Sequence, residues 1–269
     1  MPASIITLTT DFGTRDPWVG IMKGVILGIC PGAELVDLSH DIAPQDVLEG
    51  ALCLEAAARF FPAGTVHLAV VDPGVGSSRR GLAIQAGGQS FIGPDNGLLS
   101  LAVDQAGGPV EAVELTSPAY RRAPLSRTFH GRDLFAPAAA HLAAGVPLGR
   151  FGSSVNDPVT LFLPAARRVE GCVLGEVIGV DRFGNLVTSV TEADLAGFEG
   201  EPGALVVEIA GVAVGAPMAA YADAPPGFPG AIVGSTGRLE VFVREGSARS
   251  LLGCGRGAPV LVKRVRGEA

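Results

Sequence analysis

The sequence predicts an α/β protein in two parts: an N-terminal α/β domain with a largely parallel sheet over residues 1–165, and a C-terminal β-barrel-like domain over 166–269. Three observations lead there. Apolar, β-branched runs alternate with helix-period segments through the first 160 or so residues, in the order strand, helix, strand, helix, strand. From Cys172 the texture changes to short β-rich runs separated by glycines. Composition fits a loop-rich folded chain, with 48% hydrophobic and 17% charged residues, 38 Gly and 20 Pro among 269 residues.

Taken in order, Ile5-Ile6-Thr7-Leu8-Thr9-Thr10 reads as a strand that stops at Asp11-Phe12-Gly13. Asp16-Pro17 then supplies an N-cap and a first-turn proline ahead of a helix from Trp18 to Ile29, which Pro31-Gly32 ends. A strand from Glu34 to Leu38 leads through Ser39-His40-Asp41 to a helix from about Gln45 to Phe61. Thr65 to Asp72 is a third, buried strand, broken by Pro73-Gly74. A hairpin (81–85 and 90–93), the turn Pro94-Asp95-Asn96-Gly97, a helix over 98–105 and a strand over 110–115 follow. Thr128-Phe129-His130-Gly131-Arg132-Asp133 precedes a helix that runs through Ala143. The second part carries β-rich runs at 172–180, 186–190, 204–214, 231–234, 238–244 and 258–265.

Composition narrows the function. Formal net charge is −7, and both halves are negative, at −3 over residues 1–168 and −4 over 169–269. Neither offers the positive field that nucleic-acid binding needs. The longest uncharged run, Leu134 to Gly149, has 16 residues and two prolines, short of a membrane span. Met1-Pro2-Ala3-Ser4 enters the first strand without a basic or apolar leader, so the expectation is a cytoplasmic protein with no membrane partner. Cys30, Cys53, Cys172 and Cys254 are scattered without a C-x-x-C pair, which suggests neither a zinc site nor a disulfide framework.

Asp11 and Asp72 each stand where a strand stops, the edge at which open α/β sheets bind ligands. Asp72, Arg79 and His130 could together handle a water molecule, because carboxylate and imidazole accept protons while a guanidinium stabilises developing hydroxide. The structural alternative is that Asp72 caps the glycine turn, Arg79 pairs with a surface acid and His130 caps the following helix. Gly74-Val75-Gly76-Ser77-Ser78-Arg79 lacks the spacing and the Lys-Ser/Thr of a phosphate loop. Asp11, Asp72, His130 and Asp133 form no compact metal-ligand pattern, so no metal and no cofactor are expected. In Asp181-Arg182-Phe183-Gly184-Asn185, Gly184-Asn185 could simply make a turn, while Phe183 could stack on a flat ring and Asn185 could pair with a base edge.

Together these segments are more specific than any one. The chain resembles the S-adenosylmethionine hydroxide adenosyltransferase family, water-using relatives of the bacterial fluorinase and chlorinase. The matching text is Thr9 to Gly13, Asp16 to Gly20 with Lys23-Gly24, Asp72 to Gly76 with Arg79, Gly93 to Gly97, Thr128 to Asp133 and Asp181 to Asn185. The resemblance implies a homotrimer with active sites between subunits, converting S-adenosylmethionine and water to adenosine and L-methionine. It implies Asp72, Arg79 and His130 as the water-handling trio and Asp11 as the ribose-binding aspartate. Phe129, Gly131, Asp181, Phe183 and Asn185 fall with the substrate-binding positions. The halide-using relatives resemble T-Y-P-A-T-G where this chain has Val71-Asp72-Pro73-Gly74-Val75-Gly76, and they lack a histidine at position 130, which favours water as the nucleophile. On this reading the glycines let the backbone approach a small nucleophile site. The family's C-terminal Asn-Ser and Gly-Asn-Ala segments stand here as Gly234-Ser235 and Gly246-Ser247-Ala248, leaving Ser235 as a binding candidate, with Tyr221 a candidate for stacking on adenine. The alternatives are a protein that binds adenosine or S-adenosylmethionine without turnover, and a halide-using adenosyl transferase.

Overall fold

The computed structural model describes residues 4–169, 171–196, 198 and 204–265. The lead-in Met1-Pro2-Ala3 lies outside them. The chain divides into two compact units after Leu161.

The first unit runs β1 (Ile5–Thr10), α1 (Trp18–Ile29), β2 (Glu34–Ser39), α2 (Val47–Ala58), β3 (Val66–Val70), β4 (Gly81–Ala86), β5 (Gln89–Pro94), α3 (Ser100–Gln105), β6 (Glu111–Glu114) and α4 (Ala136–Ala143). Its six strands are ordered β2-β1-β3-β5-β4-β6. The pairs β2–β1, β1–β3 and β3–β5 are parallel, whereas β4 is antiparallel to both β5 and β6. The expected largely parallel sheet is therefore present, with the Gly87-Gly88 hairpin turn responsible for its one reversed strand. Both glycines have positive φ, as a tight hairpin turn requires. Helices cover both faces, α1 packing against α4 and α2 against α3.

Local chemistry moves several ends. The N-cap of α1 is Pro17 itself, which accepts from the Ile21 N–H at 2.9 Å, and no side chain caps this end, so Asp16 does not fill the expected role. Helix α2 starts after Gln45 because that residue has φ of 67°, outside the helical region, and Asp46 caps it by accepting from the Glu49 N–H at 2.9 Å. Between His130 and α4, residues 131–135 form a π-helical turn, so the histidine motif runs into the helix rather than stopping before it.

The second unit contains β7 (Arg167–Val169), β8 (Cys172–Val180), β9 (Leu186–Thr191), α5 (Glu192–Ala196), β10 (Ala204–Ile209), β11 (Val212–Gly215), β12 (Pro217–Met218), β13 (Pro229–Val233), β14 (Arg238–Val243), α6 (Ala248–Leu252) and β15 (Pro259–Val265). The strands run β11-β10-β15-β8-β9-β14-β13-β12, with β7 beside β8, and every pairing is antiparallel except β12–β13. The far ends return to each other, β11 against β13 and β10 against β12. This curls the sheet into the expected barrel around Val177, Leu186, Val207, Leu239, Val241 and Val262. Among the described residues no helix is long and apolar enough to cross a membrane.

One buried polar pair in the first sheet has a measurable consequence. His67 on β3 is the register partner of Thr7 on β1, its Nδ1 lies 2.8 Å from Thr7 Oγ1, and its ring stacks on Phe91 at 5.0 Å. Burial pushes its pKa down to about 4, so the folded protein holds it neutral. The unfolded chain takes up that proton near pH 6.5 and the folded chain only near pH 4, so stability falls with pH across this window, by about 3 kcal/mol at most. Denaturant unfolding between pH 7 and 4 should show that slope in the native chain, and His67→Phe should flatten it.

Candidate active site

The order of connections locates the site. From β1 the chain crosses to β2 on one side, then returns to add β3 on the other side of β1, so the winding direction switches between β1 and β3. Crevices at such switch points, beyond the carboxyl ends of the strands, are where open α/β sheets bind ligands. Asp11 directly follows β1, and Asp72 follows β3 by two residues, so both carboxylates leave the sheet at this edge. They line one cleft of about 400 Å³ with Phe12, Trp18, Gln45, Thr128, Phe129, His130 and Gly131.

Arg79 stands behind the cleft wall. Backbone bonds from Val75 N–H to the Asp72 carbonyl and from Ser77 N–H to the Gly74 carbonyl fold the loop back on itself. Arg79 thereby reaches its partner: Nε donates to Asp72 Oδ1 at 2.9 Å, and Nη2 donates to Asp72 Oδ2. Their side chains are only 5% (Asp72) and 11% (Arg79) exposed, and the guanidinium also lies over the Phe135 ring, 5.2 Å from its centroid. The same Nη2 lies 2.8 Å from His130 Nδ1. Because arginine only donates, Nδ1 must be the acceptor, and a neutral imidazole then carries its proton on Nε2. His130 is held neutral in agreement with this: burial lowers its pKa first, and the Arg79 charge lowers it further, against weaker opposing effects from Asp72, Asp133 and the Ser126 backbone.

The remaining sequence motifs hold this arrangement in place. Asn96 donates from Nδ2 to the Val71 carbonyl at 2.9 Å, just before Asp72, and Asp95 accepts from Arg80 Nε at 2.7 Å and from Val159 N–H at 2.7 Å. Pro94-Asp95-Asn96-Gly97 is thus a brace for the loop bearing Asp72 and Arg79. Asp133, almost fully buried, accepts from Ser126 N–H at 2.9 Å and from Arg132 Nε at 2.7 Å, ordering the segment that carries His130. Gly76 has a role the sequence did not suggest. At φ of 79° it lies so close to the Arg127 carbonyl that any Cβ would collide with it, so it joins the two loops rather than clearing a path for a nucleophile.

Several cleft residues, Phe12, Trp18 and Gln45 among them, were not singled out as site candidates from the sequence. Trp18 packs edge-on against Phe129 at 5.4 Å, and Phe12 packs edge-on against the same ring at 5.9 Å, giving the cleft an aromatic wall. Trp18 was legible as the chain's single tryptophan, inside a matched motif. Gln45 was not, because its left-handed backbone, which aims its N–H at Asp11 Oδ2 at 2.8 Å, has no mark in the sequence.

In the second unit Asp181 turns inward on its own loop. Oδ1 accepts from Phe183 N–H at 2.9 Å and Asn185 N–H at 2.8 Å, and Oδ2 accepts from Asn185 Nδ2 at 2.8 Å. Asp181 and Asn185 therefore build the turn that presents Phe183, which is 76% exposed. Gly184, with φ of 83°, lies against Ser247, bringing the 181–185 turn beside the 246–248 segment. Tyr221 donates its hydroxyl to Glu240 Oε2 at 3.0 Å and packs edge-on against Phe242 at 4.7 Å. Burial and the charges of Glu240 and Asp181 push its pKa up to about 12. Ser235 sits exposed in the β13–β14 turn, and a Cβ on neighbouring Gly234 would collide with the Glu240 carboxylate. A side chain at 234 would therefore require the Glu240 carboxylate to move.

Gly76→Ala should lower stability by about 2 kcal/mol, since it adds both a positive-φ penalty and a backbone collision. Thermal unfolding measures this, and loss of the His130 contact should accompany it in a crystal structure of the variant.

With this geometry established, comparison with known proteins is specific. The family model described as the SAM hydroxide adenosyltransferase N-terminal domain matches residues 6–152, and that of the C-terminal domain matches residues 175–261. A Thermus thermophilus protein named (R)-S-adenosyl-L-methionine hydrolase is 43% identical over 260 residues, covering 93% of this chain and 96% of that protein. A protein from Actinoplanes named fluorinase is 35% identical, covering 72% of this chain and 75% of that one. The crystal structure of an uncharacterized conserved protein from Thermotoga maritima superposes with a TM-score of 0.90 at 33% identity, covering 96% of this chain and all of that one. With both domain models matched in order along the chain, the protein belongs to the SAM hydroxide adenosyltransferase family.

Proposed function

We propose that the protein hydrolyses S-adenosylmethionine to adenosine and L-methionine, with Asp72, Arg79 and His130 organising the water that attacks the ribose C5′. The observation that carries this is the gathering of Asp72 and His130 in one cleft, with Arg79 bridging them, in a chain of this family. The name of the Thermus thermophilus relative agrees with it. In the reaction the C5′–O bond forms as C5′–S breaks. The sulfur takes the electron pair and leaves as a neutral thioether, and water releases one proton. No acid is needed for the leaving group, so the protein's work is to position water and stabilise hydroxide character.

Roles follow from the hydrogen bonds. Asp72 lines the cleft and, although both oxygens accept from Arg79, each keeps a lone pair, so it is the group placed to orient water and take up its proton. Arg79 supplies fixed positive charge behind it. His130 spends its Nδ1 lone pair on Arg79, so it serves by holding the guanidinium rather than as the first proton acceptor. This geometry also favours water over a halide: the Arg79 charge is already matched by a carboxylate facing the cleft, which repels an anion and accepts a hydrogen bond from water.

Asp11 would hold the ribose, and Phe129 and Gly131 the adenosyl group. Asp181, Phe183, Asn185, Tyr221 and Ser235 would serve the methionine end and the adenine, each completing a neighbouring subunit's site in a cytoplasmic homotrimer. S-adenosylmethionine is the substrate, and the reading requires neither cofactor nor metal, nor a nucleic-acid or membrane partner.

Incubating the purified chain with S-adenosylmethionine should yield adenosine and methionine in equal amounts by chromatography. Adenosine binding without turnover would overturn hydrolysis in favour of the binding-protein alternative. Asp72→Asn should lower kcat by about 10²–10³-fold while adenosine affinity stays within about threefold, because the lost interaction matters most in the transition state. The pH profile follows from His130. Its lowered pKa keeps Nδ1 free to accept from Arg79 below the ordinary imidazole range, so kcat should show no loss around pH 6.5 and should decline only at lower pH.

A further inference from the structure

The cleft has a second buried histidine beside it that the proposed reaction does not use. His40, in the segment joining β2 to α2, is 6% exposed, and its Nδ1 lies 2.8 Å from Thr10 Oγ1. Its Nε2 lies 3.0 Å from Asp37 Oδ1, and Asp37 Oδ2 in turn accepts from Lys23 Nζ on α1 at 2.6 Å. Burial raises the Asp37 pKa, but Lys23 and His40 more than offset it, so the carboxyl stays ionised and can only accept. Asp37 therefore faces Nε2 as a charge contact, and in the neutral imidazole with its proton on Nε2 the Thr10 hydroxyl donates to Nδ1.

These contacts converge on one turn. Thr10 is the last residue of β1, and its Oγ1 also accepts from the Phe12 N–H at 3.3 Å. The His40 carbonyl accepts from the Gly13 N–H at 2.8 Å. Asp11 itself is held by the same connecting segment, since its Oδ2 accepts from the Gln45 N–H at 2.8 Å, an orientation available only because Gln45 is left-handed at φ of 67°. The four-residue turn 10–13 is thus pinned on both sides of Asp11 by residue 40, and at Asp11 itself by residue 45. A buried imidazole braced by an ion pair is a stiffer anchor than the glycine-ended turn could be alone, and a misplacement of about 1 Å at a binding group can cost up to ~10²-fold.

We propose that His40, anchored through Asp37 and Lys23, is a positioning residue that fixes the Thr10–Gly13 turn and so aims Asp11 into the cleft. This rests on the reading of Asp11 as the carboxylate that holds the ribose. It predicts an effect on substrate binding rather than on the chemical step, because neither Asp72 nor Arg79 touches the clamp.

Calorimetry with adenosine, and steady-state kinetics with S-adenosylmethionine, would be run on the full chain and on His40→Ala, His40→Asn, Thr10→Val and Asp11→Asn. The expected result is an adenosine Kd raised about tenfold in His40→Ala and Thr10→Val, with KM rising in parallel and kcat within about threefold. His40→Asn, whose amide can replace Nδ1 as a partner for Thr10, should recover most of the affinity. Thr10→Val removes only the hydroxyl contact and reports on the clamp even if His40→Ala does not fold. Unchanged adenosine affinity in Thr10→Val, or a fall in kcat with unchanged KM, overturns the positioning role. Adenosine bound by the native chain and weakened by Thr10→Val, but with no turnover of S-adenosylmethionine, supports the clamp while overturning the hydrolase reading.

Discussion

The Asp72–Arg79 pair is the constraint on which the candidate site depends. Two opposite charges this far removed from water are tolerable only while each satisfies the other, and removing one partner of such a buried pair typically costs about 3–5 kcal/mol. The loop between them must therefore close, and the features around it serve that closure. Gly74 leaves room for the Arg79 side chain, Ser77 turns the chain, and Asn96 holds the Val71 carbonyl at the base. The Phe135 ring and His130 then fix the far side of the guanidinium, so its orientation is set before any ligand arrives.

That closure determines how the other residues can act. His130 must stay neutral to accept from Arg79, and its burial together with the adjacent positive charge keeps it so. The Asp72 carboxylate matches the Arg79 cation buried beside it, which leaves the cleft hospitable to water and to a cationic ligand. A net charge of −7 also suits the sulfonium- and ammonium-bearing S-adenosylmethionine of the proposed reaction. In the same cleft the aromatic rings of Phe12, Trp18 and Phe129 offer a flat ligand apolar contact.

The barrel unit follows a different economy. Asp181 and Asn185 satisfy each other and their own backbone, so they act as the frame for an exposed Phe183. Glu240 lies against Gly234, where a Cβ would meet its carboxylate, and takes the Tyr221 hydroxyl as donor, with its own pKa raised chiefly by burial.

Much of this was legible in the sequence. Alternating strand and helix periods gave the first unit its parallel sheet, glycine-punctuated β-runs gave the second its barrel, and carboxylates at strand ends marked Asp11 and Asp72 as edge residues, because backbone periodicity and turn chemistry are local properties. Ordered motif matches identified Arg79 and His130 before any contact could be seen. What only tertiary structure decided were the relations between segments distant in sequence. The winding switch between β1 and β3 sets the two aspartates in one cleft, and a sequence separation of 51 between Arg79 and His130 closes to a single hydrogen bond. That bond assigns the imidazole its tautomer and hence its role. The packing of Gly76 on Arg127 and the left-handed turn at Gln45 were equally hidden, since a residue's φ and its long-range neighbours are imposed by the whole fold and leave no periodic trace in the chain.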